Sequence, residues 1–181
     1  MSSRHSGLFT VILPAISPAL PDNFKQAMRR LAAAVSVITC ADEQQWFGLT
    51  ATAVTSLCVE PASIIVCINI ASSVLPALNG SRRFCVNLLT TEQHSISSNF
   101  GGRLKGAERF SEGHWELDKG GVPYLVGAQA NLFCELDNSI AYGTHLIVIG
   151  LVTQVHCAEA VAPLIYQNGS YAGTAPLAAS F

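Results

Sequence analysis

The sequence predicts a mainly β protein, a barrel with a few peripheral helices. Three observations carry this. Short apolar runs recur along the chain, among them "AVSVITC" (34–40), "SIIVCINI" (63–70) and "RFCVNLL" (83–89). Two long strands follow, at about 127–141 and 145–157. Helical periodicity is confined to short stretches between them. Continuous apolar strands are expected where one face fills a barrel and the other meets a helix or a second subunit. Strands with so few helices argue against a doubly wound sheet.

The elements follow in order. Asp22 is placed to cap a helix through about Leu31, with Phe24, Met28 and Leu31 on one face. After strand 34–40, "ADEQQW" is a polar turn. "FGLTATAVTSL" (47–57) begins as a strand, but is unusually rich in small residues and threonines. Strand 63–70 leads into "SSVLPALNG" (72–80), a short helix with Ser73 as N-cap, Pro76 in the first turn and Gly80 at the end. Strand 83–89 comes next, and Thr91 then caps a helix through about Asn99. Residues 101–121, Gly-rich and charged, read as a surface loop or lid with a helical turn. The two long strands follow, and "PLIYQ" (163–167) is the last strand.

Half of the 181 residues are hydrophobic and 12% are charged, against about 25% in a typical globular chain. So few charges cover a small monomer poorly, and a homo-oligomer, expected as a homodimer, is the simplest remedy. A net charge of −2 supplies no field for nucleic acid. No stretch reaches the roughly 18 apolar residues of a membrane span. Cys40, Cys58, Cys67, Cys85, Cys134 and Cys157 include no CxxC pair. They read as buried free thiols in a reducing, cytoplasmic compartment. Residues 1–21 loosely imitate a signal peptide, but Pro14, Pro18 and Pro21 interrupt it. They are expected to form an irregular extension that packs on a partner subunit, before one domain over 22–181. The two N-G-S matches, at Asn79 and Asn168, read as turns.

No G-x-G-x-x-G, Walker-type loop, H-E-x-x-H, clustered Cys/His or G-x-S-x-G is present. This removes the commonest nucleotide cradles, a zinc enzyme and a hydrolase elbow. What remains is quieter. "GLTATAVTS" (48–56) sets Thr50, Thr52, Thr55 and Ser56 among small Ala51, Ala53 and Val54. A flat ring can lie there against backbone N–H and C=O groups. "NIASS" (69–73) brings Asn69, Ile70, Ala71, Ser72 and Ser73 to a helix start, where unpaired N–H groups suit an anion. Arg82 and Arg83 precede a strand holding the polar Asn87, which needs a partner. Arg109 could answer a second phosphate. His145 stands at the mouth of the longest apolar strand, "AYGTHLIVIGLVTQV" (141–155). Together these describe a flat, phosphate-bearing heterocycle held without a Rossmann fold.

The ordered set "FKQAMRRLAAAVSVITC", "GLTATAVTSLCVEPASIIVCIN", "FCVNLLTTEQ", "ERF", "GTHLIVIG" and "PLIY" resembles the short-chain NAD(P)H:flavin oxidoreductases. These are the reductase components of two-component flavin monooxygenases. The nearest branch holds the 4-hydroxyphenylacetate 3-monooxygenase reductases and their pyrimidine-degradation relatives. The similarity spans about residues 23–171. It implies a split β-barrel that binds FMN or FAD, usually as a homodimer, uses NADH or NADPH, and passes reduced flavin to a monooxygenase. It also implies that the segment Thr50–Ser56 lines the isoalloxazine ring. Asn69–Ser73 and the strand start at Phe84–Cys85 would take the ribityl chain and phosphate, and His145 would lie near flavin and nicotinamide as the catalytic candidate. The chain departs from the family in reading Gly143-Thr144-His145 where an Asp is common. It also has "CVEPAS" for a double proline, and "NGSYA" where a basic residue often precedes the final Tyr, here Tyr171. Other readings are a reductase that keeps its flavin and serves another acceptor such as a corrin, and a flavin-binding barrel without catalysis.

Overall fold

The computed structural model describes residues 18–177. The helix α1 (Leu20–Met28) comes first, followed by β1 (Ala33–Ala34), β2 (Ser36–Ala41), β3 (Trp46–Ala51), β4 (Val54–Val59) and β5 (Ala62–Asn69). Next are α2 (Val74–Ser81), β6 (Arg83–Leu88) and α3 (His94–Ser98). The chain then runs through β7 (Trp115–Leu117), β8 (Pro123–Leu125), β9 (Ala130–Tyr142), β10 (His145–Cys157), β11 (Ile165–Gln167) and β12 (Ser170–Ala172).

Seven strands form one antiparallel sheet in the order β3-β2-β6-β9-β10-β5-β4. The two edge strands, β3 and β4, are consecutive in sequence and joined only by Thr52 and Ala53. Laid flat, seven strands would separate those edges by roughly 29 Å, whereas the connection reaches roughly 11 Å. The sheet therefore curls until its edges meet at Thr52–Ala53, yet no ladder joins β3 to β4. The barrel is split, not closed. The hairpin β11–β12 pairs with β1 in a small second sheet.

The barrel core gathers Ile38, Val66, Ile68, Phe84, Val86 and Val148, with Val74 and Leu78 of α2 packed into it. Val35, Val37, Leu89, Ile96, Phe100 and Leu164 form a second layer outside the barrel. Strand β2 belongs to both layers, and this is why its sequence is apolar without alternation. Gly150 is required by packing: a Cβ there would lie 2.5 Å from the Phe84 ring.

Several local expectations change. Helix α1 starts at Leu20 with Ala19 at the cap position, so Asp22 lies in the first turn instead of capping. It ends at Met28, and Phe24, Met28 and Leu31 are all exposed. The expected extension, residues 1–21, otherwise lies outside the described residues except for 18–21. The run 34–40 divides into β1 and β2, and the run 47–57 breaks at the barrel joint. Asn79 lies inside α2, which runs past Gly80 and ends with Arg82 in the left-handed region (φ 54°). Ser73 occupies the cap position without a side-chain bond. At the next helix Thr90, not Thr91, is the cap, its N–H donating to Gln93 Oε1 at 3.0 Å. Asn168 does turn, with Gly169, into β12, a strand beyond the expected last one. Of the cysteines, Cys40, Cys85 and Cys134 are buried, but Cys58 and Cys157 are exposed. Apolar neighbours in sequence do not bury a residue at a strand's outer end.

Candidate functional site

The split creates the site. β3 pairs only with β2, so every second backbone N–H and C=O along it faces away from the sheet. The Gly48 carbonyl is one of these, because it accepts from Arg109 Nη1 at 2.6 Å. Two residues on, the alternation puts the N–H and C=O of Thr50 on the same open edge. The Thr50 hydroxyl donates to the Ser97 carbonyl at 2.6 Å, and Ser97 Oγ lies 2.9 Å from the Tyr171 hydroxyl. The edge strand is thus backed by α3 and by β12.

The facing wall comes from β5 and β10. Gly143 (φ 56°) opens a two-residue hairpin turn, a conformation that favours glycine. The turn starts β10 at His145, opposite Asn69 in the ladder. Asn69 Oδ1 accepts from Ala71 N at 2.9 Å, Ser72 N donates to the Asn69 carbonyl at 2.9 Å, and Ile70 N donates to the Thr144 carbonyl at 3.0 Å. The 69–72 turn and the histidine turn therefore hold one another. His145 Nδ1 lies 2.9 Å from Thr144 Oγ1, which leaves Nε2 as the atom available to a ligand.

Between these walls lies a cleft of about 290 Å³. Thr50, Ala51, Thr52 and Ala53 line one side, and Asn69, Ser72 and His145 the other. Sequence positions nearly a hundred residues apart converge there. Leu49, Cys67 and Ile68 also line it and were not among the expected residues. Cys67 precedes Asn69 by two on β5 and shares its face, so the strand period already contained that signal.

Other expected residues lie elsewhere. Val54, Thr55 and Ser56 run away from the cleft along β4. Ile70, Ala71 and Ser73 are exposed around the turn and do not line the cleft. Phe84, Cys85 and Asn87 have buried side chains on β6, and Cys85 and Asn87 are laddered on both sides. Asn87 is fully employed: Nδ2 donates to the Val37 carbonyl at 2.8 Å, and Oδ1 accepts from Leu125 N at 2.8 Å and Asn131 Nδ2 at 2.9 Å. Its partner is the fold, not a ligand. Arg109 is likewise spent on carbonyls, with Nε donating to Leu104 at 3.1 Å besides the bond to Gly48. Burial pushes the Cys134 thiol, and burial aided by Asp42 the Cys40 thiol, up to about 12, so neither is a nucleophile at neutral pH.

The cleft fits a flavin ring. Its floor holds alanines that permit close approach, its edge offers unpaired backbone donors and acceptors, and its mouth carries an imidazole. Bound flavin and nicotinamide supply hydride transfer as their own chemistry. With a flavin in the cleft, Thr50–Ala53 would orient the ring and His145 would present Nε2 beside it.

Comparison with known proteins agrees. The model of the flavin reductase like domain matches residues 28–175. The reductase component of an FADH(2)-dependent resorcinol hydroxylase from Rhizobium sp. (strain MTP-10005) is 40% identical over 156 residues, covering 85% of this chain and 87% of that one. The FMN reductase (NADH) RutF of Stutzerimonas stutzeri (strain A1501) is 36% identical, covering 87% of this chain and 90% of its own length. Among solved structures, a flavin reductase domain protein from Arthrobacter sp. FB24 superposes with a TM-score of 0.82 at 28% identity, over 89% of this chain and 99% of that one. Matched along most of its length, and with a split barrel whose open edge suits a flavin, the chain belongs to the flavin reductase-like family.

Proposed function

We propose that this protein is an NADH-dependent flavin reductase that supplies reduced FMN or FAD to a separate monooxygenase. One observation carries the reading. The unpaired edge of β3 and the Asn69–His145 pair face each other across a shallow cleft, and no carboxylate is among the residues that line it. Such a site needs only to stack, orient and exchange its ligands. Relatives with the reductase names given above align over most of both chains.

His145 shapes the nicotinamide side of the cleft and exchanges a proton at Nε2. Thr50, Thr52 and the backbone between them hold the ring edge, and the 69–72 turn takes the polar tail. The protein works as a homodimer in the cytoplasm. Exposed Leu57, Val59, Ile140, Tyr142 and Val155 leave apolar strand surface for a second copy to cover. Among the described residues no helix is long and apolar enough to cross a membrane.

Anaerobic stopped-flow absorbance tests the activity, with NADH mixed against FMN or FAD in excess over protein. Bleaching of the oxidised-flavin band over many turnovers is expected. Bleaching limited to the protein's own amount would mean a retained flavin with another acceptor. No bleaching would reduce the protein to a flavin-binding barrel.

A further inference from the structure

The edge of β3 that no strand pairs is occupied at one point. The Gly48 carbonyl accepts from Arg109 Nη1 at 2.6 Å, and the same guanidinium donates through Nε to the Leu104 carbonyl at 3.1 Å. Arg109 thus ties the 99–110 loop to the edge strand. The next residue anchors the loop as well. The Phe110 ring meets Trp46, Phe100 and Trp115 edge-on, at centroid distances of 5.3, 4.8 and 5.0 Å. The loop also passes close to the cleft wall, since a Cβ at Gly101 would lie 3.9 Å from Thr50 Oγ1.

The charge of Arg109 is not cancelled. The side chain is half-buried, and among the described residues no carboxylate pairs with it. Arg83, by contrast, meets Asp118 at 3.1 Å. Carbonyl partners hold a guanidinium in place and leave its charge intact. Arg103 and Lys105 stand on the same loop but are exposed, where water and salt screen them. No Lys or Arg lines the cleft itself. Thr50 follows Gly48 by two residues on the same open edge, about 7 Å along the strand. Hydride transfer brings negative charge to a ring that is neutral when oxidised, and a fixed cation nearby favours the charged state. We propose that Arg109 is a positioning residue for flavin reduction. Through the Gly48 carbonyl it holds the edge of β3 in place and fixes a positive charge beside the reduced ring. The proposal rests on the flavin reductase reading.

The test is anaerobic titration calorimetry with oxidised and with reduced FMN, on wild type, Arg109→Gln and Arg109→Lys. Glutamine still offers a donor to the Gly48 carbonyl but carries no charge, whereas lysine keeps the charge. Arg109→Gln should weaken reduced FMN about fivefold more than oxidised FMN. Arg109→Lys should restore most of that difference. The exposed pair Arg103→Gln/Lys105→Gln should leave the ratio of the two Kd values where it is. Equal weakening of both forms in Arg109→Gln would mean that the arginine only anchors the loop, and it overturns the proposal. So does a ratio that moves as far in the Arg103→Gln/Lys105→Gln variant. If Arg109→Gln fails to fold, citrulline at position 109 keeps the shape and loses the charge, and the same ratio decides. Bleaching of FMN by NADH in the wild type checks the reductase reading separately. A wild type that binds FMN without bleaching it fails that reading, and the Kd ratio still decides Arg109.

Discussion

At the residue scale, the role proposed for His145 is narrow. Its ring is placed by a tight turn and by Thr144, and no carboxylate among the described residues orients it. His145→Gln is expected to slow flavin reduction by about tenfold, below the range of a full general acid, with the FMN Kd unchanged. Equal single-turnover rates in variant and wild type would remove the role. The buried thiols make a separate prediction. Burial, aided at Cys40 by Asp42, pushes the Cys40 and Cys134 thiols from an ordinary value near 9.0 up to about 12 in the fold. The unfolded chain therefore releases protons above pH 9 that the folded chain keeps. Stability is intact below pH 9 and falls as pH climbs towards 12, by up to about 1.4 kcal/mol per pH unit for each thiol. Urea midpoints at pH 8 and pH 10.5 check this, and Cys40→Ala should flatten the slope. Asn87 was readable as a polar residue in need of partners. That those partners were Val37, Leu125 and Asn131 could not be read, because they come from three distant segments.

At the element scale, the cleft-lining strand β3 depends on what stands behind it. The chain Tyr171–Ser97–Thr50 links β12, α3 and β3 through contacts of 2.9 and 2.6 Å, with Ser97 fully buried. Tyr171 is thus a positioning residue. Tyr171→Phe should weaken FMN binding about fivefold, and should add nothing once Thr50→Val has cut the chain, while Thr50→Ser keeps the coupling. Fluorescence quenching of FMN measures both. Additive losses would mean that Tyr171 only stabilises the hairpin. Gly48 belongs to the same support, since a Cβ there would lie 2.5 Å from the Phe100 ring. Most strands were legible as apolar runs, because burial on both faces of the barrel wall leaves that signature. The break at Thr52–Ala53 was not legible as a joint. Local sequence shows small polar residues there, and only the curl of seven strands turns them into the meeting point of two edges.

At the scale of the whole molecule, a low charge content and exposed apolar strand ends make one physical demand. Val59 is 91% exposed and Tyr142 80% exposed. Light scattering after gel filtration should give twice the chain mass of 19.2 kDa. A charge placed at Val59 or Tyr142 should shift the protein towards monomer if these residues lie in the contact. A monomeric wild type would remove the dimer and leave those side chains to another partner.

The sequence by itself determined the class of fold and the family, and it offered the segments Thr50–Ser56 and Asn69–Ser73 and the residue His145 as candidates for the site. Each is a local signature: a hydrophobic period, a run of small residues, a helix start, a turn before a strand. Only the tertiary structure decided which of these meet. It brought the edge of β3 to the Asn69–His145 wall, and withdrew Phe84, Cys85, Asn87 and Arg109 into the support of the fold. The physical reason is that strand pairing and closure join residues far apart in the chain, and whether a polar side chain serves a ligand or the fold depends on which distant groups reach it first.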